Sequence, residues 1–431
     1  MRRGAGVFAQ PPALRQGRHA PSAQSRRQRF QRDVTARHRF IVLGAGTAGL
    51  AAAHDLCLYG RAERVILADV DRSAVRVGET HLRRRLGRAL TDNGTRLMGR
   101  AVDARRATAL ASALRGQDGV LSALPHALNP VAARGAINAR AHWVDLGGPH
   151  ATSRKILDLS KRAEKNGVAV VPDGGLAPGL CNILASRGIE QLESIDDVRL
   201  YCGELPETPR PPLGHKSIFG VNETLDNYFG RAVALQGGRV TDLVPFSERE
   251  EIDFGPPLGV LEAFVTGGAT STAPWTHEGR VRGYVYKTLR FPGHFEKIRA
   301  LKDLGLLDER PVRVDGVPVV PRRVFTALAE PRLRFPGDRD QVVLRVIVRG
   351  RRHGVPAAVA YDLWERGDDN GSATEKVAGV TAAVVLEMLV TGAVPARGAV
   401  AVEKSVPAAA VIDALRRRGL AIKETWANEA R

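Results

Sequence analysis

Residues 39–50 read RFIVLGAGTAGL, and the reading of this stretch decides the fold. Four apolar residues, 40–43, run directly into Gly44, Gly46 and Gly49, and the segment that follows, AAAHDLCLYG, is rich in Ala and Leu. That order predicts a strand, a glycine turn and a helix. Gly44 permits the tight turn, Gly46 lets the backbone approach a pyrophosphate, and Gly49 lets the helix pack close to its strand. Thr47 and Ala48 then open the helix, whose N-terminus faces the phosphates. A glycine turn of this kind is common, so alone it is weak evidence for any one chemistry.

A second apolar run, VILADV at 65–70, places Asp69 25 positions after Gly44. A carboxylate near that spacing grips the ribose hydroxyls of adenosine, so NAD is favoured over NADP. Arg72 pulls the other way, because a guanidinium just after the strand can accept a 2′-phosphate. The plain alternative is an ordinary α/β protein in which Asp69 caps a helix.

With 431 residues and 44% apolar content, the chain can bury a sizeable core and should divide into two or three domains. The formal net charge is +18, yet residues 1–39 hold ten Arg against the single acid Asp33, so half the excess sits in a stretch without apolar periodicity. The rest is spread thinly, which argues against a nucleic-acid partner. Residues 1–38 are expected to form a disordered basic tail, read either as an organellar transit peptide or as an upstream extension in Arg-rich coding. The apolar stretch 377–394 is broken by Glu387 and glycines, so no membrane span is expected. Cys57, Cys181 and Cys202 lack C-x-x-C spacing and a companion His pattern. They imply a reducing compartment, hence a cytoplasmic protein, and no metal site.

From Arg39 to about Gly179, apolar runs alternate with helical stretches in the manner of a Rossmann doubly wound parallel sheet. Strands are expected near 95–98, 119–123, 142–146 and 168–171, and helices near 73–89, 106–114 and from 130. Loops that follow the strands share one sheet edge, where ligands bind. Ser122, Ala123, Leu124 and Pro125, then Asp145 and Gly147, then Asp173, Gly174 and Gly175 are thus candidates for the nicotinamide end, Asp145 among them as a catalytic acid. Asp145 and Asp173 read equally well as helix caps or turn residues. His126 either contacts cofactor or substrate or simply starts the next helix.

Three segments discriminate further: LSALPHALNPVAARGAINARAHWVDLGG at 121–148, VPDGGLAPGLCNILA at 171–185, and YKTLRFPGH at 286–294. Through them, and over nearly all of 40–403, the chain resembles the saccharopine dehydrogenase-like oxidoreductases, and within that family the lysine 6-dehydrogenase branch most. The resemblance implies NAD-dependent oxidative deamination of the ε-amino group of L-lysine, giving a semialdehyde that cyclises to a piperideine carboxylate. One departure is visible: the family often has Cys where this chain has Gly174.

The second half reads differently. Short alternating strands near 197–201, 239–244, 280–286 and 341–348, separated by loops such as PETPRPPLGHKS and DFGPPLG, predict a mixed or antiparallel sheet. This gives an α+β substrate domain over 181–357 that also carries a homodimer contact. The resemblance implies that 358–431 returns to complete the nucleotide domain of 39–180.

Oxidising a primary amine requires its neutral form, whereas free lysine is protonated up to a pKa of about 10.4. A base must therefore stand near the cofactor. The carboxylate of a small amino-acid substrate needs an Arg, Lys or helix N-terminus at the other end of the pocket. In YKTLRFPGH, Lys287 and His294 are the candidates for proton transfer and Arg290 for the carboxylate clamp. Three cationic groups within nine residues repel unless an anion or acid joins them; the plain alternative is a solvated basic turn. Thr266 and Thr272 stand in a glycine and hydroxyl cluster after Glu262 that binds a carboxylate or caps a helix, while His142, Tyr201 and Tyr228 read as structural. Two rival readings remain. An imine-reducing enzyme, as in saccharopine or carboxynorspermidine metabolism, needs room and cations for two or three carboxylates; a non-catalytic NAD-binding protein would lack a base beside the nicotinamide.

Overall fold

The computed structural model describes residues 36–217, 220–335, 337–369 and 371–427; the tail expected over 1–38 lies outside them as far as residue 35. The first half alternates as anticipated. β1 (His38–Leu43), β2 (Ala62–Asp69), β3 (Arg96–Ala101), β4 (Gly119–Ser122), β5 (His142–Asp145) and β6 (Ala169–Val171) pair in parallel in the spatial order β6-β5-β4-β1-β2-β3. Helices cover both faces, so alternate residues of one strand enter different cores: Phe40 and Val42 join one cluster, Ile41 and Leu43 the other. Strand order reverses between β1 and β4, the point at which such sheets open a ligand crevice.

The second sheet is mixed. It is built from β7 (Ser194–Pro206), β8 (Ala232–Gln236), β9 (Arg239–Leu243), β10 (Glu250–Asp253), β11 (Val260–Val265) and β12 (Val281–Arg290). After the hairpin β13 (Val312–Val314) and β14 (Val317–Val319), the chain returns with β15 (Asp340–Arg352) and β16 (Val355–Arg366). The last strands are β17 (Gly398–Ala399) and β18 (Lys423–Ala427). The sheet runs β10-β11-β12-β7-β15-β16-β18, with β8 paired to β12 and β9 to β8. Among these pairings β12 with β7 is parallel and the others are antiparallel. The stretch after residue 358 serves both sheets: β18 extends the mixed one, whereas β17 adds to β6 in the parallel one.

The helix Ala373–Val390 joins the two. At its start, Asp340 of β15 accepts hydrogen bonds from Ser372 Oγ (2.7 Å), Ala373 N (2.8 Å) and Thr374 N (3.1 Å), which satisfies free N–H groups of the first turn. Further along, it crosses the Thr47–Tyr59 helix so closely that a Cβ on Gly379 would lie 2.5 Å from Ala48 O and 2.9 Å from Ala52 N. The contact is backbone on backbone, and only glycine fits. Among the described residues no helix is long and apolar enough to cross a membrane.

Overpacking a tight helix crossing costs about 1–3 kcal/mol and shifts neighbouring backbone. Gly379→Val is therefore expected to lower the midpoint of thermal unfolding by several degrees and to weaken nucleotide binding as well, because the helix it displaces carries the glycine turn. Calorimetry with and without nucleotide checks this; an unchanged midpoint would contradict the crossing.

Candidate active site

The site begins at the glycine turn. Gly44 has φ +108°, and a Cβ there would lie 2.5 Å from Ala123 O, while a Cβ on Gly49 would lie 2.0 Å from Gly44 O. At Gly46 an added Cβ meets nothing within 4 Å. Gly44 and Gly49 thus close the turn against β4, and Gly46 borders open space in front of the helix. That helix has no side-chain cap, so its first N–H groups, beginning with those of Thr47 and Ala48, are available to a phosphate. At the end of β2, Asp69 Oδ2 accepts from Ala45 N (2.8 Å) and Oδ1 from Asp71 N (3.0 Å), which holds the carboxylate at the edge of that space. These residues fit a dinucleotide.

The loops after the next strands are held by buried polar groups. Ser122 Oγ donates to Asn129 Oδ1 (2.8 Å), so its hydroxyl is committed inside the fold. Ala123 underlies the turn, and of residues 122–126 it is His126 that lines the cavity beyond, not Ser122, Ala123, Leu124 or Pro125. Asp145, proposed as a catalytic acid, is fully buried and builds a turn: Oδ1 accepts from Gly147 N (2.9 Å) and Asp173 N (3.0 Å), and Oδ2 from Trp143 Nε1 (3.3 Å). Asp173 accepts from Ser153 Oγ (2.9 Å) and, across to the mixed-sheet half, from Ser271 Oγ. Burial, reinforced by the adjacent Asp145 carboxylate, pushes Asp173 up to about 8. At Gly174, where the family often has Cys, an added Cβ would lie 2.4 Å from Val144 Cγ2, so the glycine is matched to this valine.

Facing these loops is a cavity of about 430 Å³. Ala48, His126, Gly147, Gly148, His150 and Pro178 line it from the parallel-sheet half; Cys202, Glu204, Thr266, Tyr286, Thr288 and Arg290 line it from the mixed sheet; Tyr228 and Glu375 contribute from helices. The alternation of β12 decides what enters. Tyr286, Thr288 and Arg290 point into the cavity, so Lys287 points away, to a separate cleft on the other side of the sheet. Its Nζ lies 3.0 Å from Glu250 Oε1 and 3.6 Å from Glu248 Oε2 and donates to Glu248 O (2.7 Å). The expectation that Lys287 transfers a proton at the cofactor is thereby corrected.

His294 is corrected too. It is buried outside the cavity lining, with Nδ1 2.9 Å from Leu213 O and Nε2 2.9 Å from Tyr228 Oη. A carbonyl only accepts, so Nδ1 carries the proton and Nε2 accepts from the tyrosine. Burial, with Arg290 nearby, pulls the imidazole down to about 3. It is neutral, and it aims Tyr228, whose oxygen accepts from Arg290 Nε (2.7 Å). Arg290 Nη1 donates to Leu289 O (2.8 Å), and among the described residues Nη2 makes no hydrogen bond. The three cationic groups of YKTLRFPGH therefore do not repel: one faces away, one is neutral, and Arg290 stands beside Glu204. Glu262 organises their turn by accepting from Gly293 N (3.2 Å) and Phe295 N (2.5 Å). Thr266 lines the cavity, with its hydroxyl 3.0 Å from that of Thr288, but Thr272 is committed to Glu403 (2.9 Å).

Two imidazoles line the cavity. His150 stacks on Trp275 with ring centroids 3.8 Å apart. His126 is exposed and has Nδ1 3.4 Å from Thr152 Oγ1, which leaves Nε2 open. Sequence reasoning missed Glu204, Glu375 and the role of Tyr228. Period-2 alternation in YCGELP could have found Glu204, because it puts Cys202 and Glu204 on one face of β7.

A glycine cradle for a dinucleotide beside a cavity lined from both sheets defines the class: a nicotinamide-dependent α/β oxidoreductase. Residues 40–171 match the saccharopine dehydrogenase NADP binding domain and residues 175–420 the saccharopine dehydrogenase C-terminal domain, and the chain belongs to the saccharopine dehydrogenase family. It is 28% identical over 209 residues to the mitochondrial alpha-aminoadipic semialdehyde synthase of Rattus norvegicus, covering 46% of this chain and 22% of that protein. With the saccharopine dehydrogenase [NADP(+), L-glutamate-forming] of Pyricularia oryzae it shares 25% identity over 231 residues, 51% of this chain and 50% of the relative. The matches span half or less of these curated relatives. The apo structure of saccharopine dehydrogenase (L-Glu forming) from Saccharomyces cerevisiae has the same fold, with a TM-score of 0.73 at 18% identity over 90% of this chain and 100% of that one. These relatives are named for saccharopine and aminoadipic semialdehyde rather than for lysine 6-dehydrogenase, and the nucleotide-binding model is named for NADP.

The Asp173 carboxyl has a measurable signature. Its pKa, about 8 in the fold, exceeds the ordinary 3.8, so the folded state keeps a proton that the unfolded state releases, and stability falls as pH rises from about 4 to about 8. Asp173→Asn is expected to flatten that decline, read as the difference in unfolding midpoint between pH 5 and pH 8. An identical pH dependence in the variant would contradict the assignment.

Proposed function

We propose that this chain oxidises the terminal amine of a small amino acid with a single carboxylate, L-lysine first, using NAD and releasing ammonium and a semialdehyde that cyclises. The observation that carries this reading is the charge of the cavity wall. Arg290 keeps one guanidinium nitrogen, Nη2, without a hydrogen bond among the described residues, Arg231 is bound to Asp242 (2.7 Å), and the acids Glu204 and Glu375 also face the space. One clamp suits one carboxylate, and acidic walls favour a substrate rich in amines. A substrate with three carboxylates would find too few cations.

The residues divide the work. Arg290, held by Tyr228 and behind it by His294, binds the carboxylate. Gly44, Gly46 and Gly49 receive the pyrophosphate, and Asp69 favours the ribose hydroxyls of NAD over a 2′-phosphate. When bound, the nicotinamide supplies the hydride acceptor. His126 Nε2 takes the ammonium proton so that the neutral amine reacts, then delivers water to the imine. A second reading, imine reduction of the saccharopine type with NADP, is supported by the names of the relatives.

The experiment is an assay for lysine-dependent formation of reduced NAD with release of ammonium. Turnover with lysine is expected; turnover of saccharopine without any of lysine would overturn the proposal. His126→Gln should lower kcat by about 10²-fold or more, whereas Lys287→Met should stay within about threefold of wild type, since its ammonium is buried against Glu250 and Glu248 and does not line the cavity. Loss of activity in Lys287→Met at unchanged stability would return that residue to the mechanism.

A further inference from the structure

The wall around Arg290 holds more than a carboxylate clamp. On β7 and β12, Cys202 stands beside Thr288 in the parallel register, and two residues further along each strand come Glu204 and Arg290. Both of these side chains face the cavity, and among the described residues the Glu204 carboxylate makes no hydrogen bond or ion pair. Arg290 is only 6% exposed and lines the same cavity, and among the described residues its Nη2 makes no hydrogen bond. Glu375 approaches from the first turn of the Ala373–Val390 helix, whose adjoining acid, Asp340, is already saturated by Ser372, Ala373 and Thr374. Burial and Asp340 push Glu375 up to about 7 against a hydrogen bond from Ser372 and the nearby Lys216, and burial raises Glu204 against the pull of Arg290.

A ligand carboxylate on Arg290 takes up the positive charge that otherwise offsets Glu204. The wall then needs a cation close to that carboxylate. An α-amino acid carries its ammonium one carbon from its carboxylate, which is the spacing that a guanidinium beside two carboxylates can accept. We propose that Glu204 and Glu375 bind the α-ammonium group of the substrate while Arg290 binds its α-carboxylate, so that the wall reads a zwitterionic α-amino-acid head group. This rests on the function proposed above and deepens it: the α-amine is held away from the cofactor, and the amine at the other end of the chain is presented to His126. Regiochemistry follows from the head group rather than from the reacting end.

The test compares lysine with 6-aminohexanoate, which keeps the carboxylate and the terminal amine and lacks only the α-ammonium. Binding of each is measured by calorimetry to the full chain in the presence of reduced NAD, for wild type, Glu204→Gln and Glu375→Gln, with unfolding midpoints recorded as a check on folding. Wild type is expected to prefer lysine by at least 30-fold. Glu204→Gln should cut that preference at least tenfold while changing 6-aminohexanoate binding less than threefold, and Glu375→Gln should act in the same direction. An unchanged preference in both variants, equal loss of both ligands, or no wild-type preference would overturn the proposal. Because the readout is binding, it is independent of turnover: lysine selectivity without lysine oxidation would sink the proposed reaction and leave the head-group site standing.

Discussion

The crossing of the Ala373–Val390 helix over the Thr47–Tyr59 helix constrains everything else. At Gly379 two backbones meet with no room for a methyl group, and at its start the same helix is pinned to β15 by Asp340. One rigid rod thus fixes the glycine turn, on the parallel sheet, relative to Glu204 and Arg290, on the mixed sheet. Hydride transfer demands placement to within a fraction of an ångström, and a loose hinge between the sheets would not supply it. Asp173 adds a second tie through Ser271, and Glu403 a third through Thr272 and Thr276.

The mixed sheet separates two environments by parity alone. On β12, even-numbered residues from Tyr286 to Arg290 face the cavity, and Lys287 faces a cleft where Glu248 and Glu250 neutralise it. Behind the cavity wall, the line from Arg290 through Tyr228 and His294 to Leu213 O fixes the guanidinium by hydrogen bonds in which every donor has an acceptor. Keeping His294 neutral matters there, since a second cation beside Arg290 would compete for the same anion.

Much of the fold was legible because its signals are local. Residues 40–43 before three spaced glycines, and apolar runs alternating with helical stretches, follow from strand burial and turn geometry, and over 39–180 the expected elements lie within a few residues of those observed, whereas β8, β10, β11, β16 and β18 of the mixed sheet were not anticipated. Of the candidate site, local pattern singled out the glycine turn and Arg290, which the proposed function uses. Lys287 was misread because a cationic cluster was weighed without the period of its strand, and Asp145 because a buried carboxylate that shapes a turn looks in sequence like one that transfers protons. Glu204, Tyr228 and Glu375 come from three elements spread over more than 170 residues, and no local pattern joins them. Tertiary packing brings them together.

The central claim is the orientation of the substrate between the two sheets, and the most direct measurement is a crystal structure of the chain with reduced NAD and lysine, a pair that cannot react. The account predicts the lysine carboxylate on Arg290 and its terminal amine beside His126 and the nicotinamide. Lysine bound the other way round, or seated in the cleft beside Lys287, would contradict it.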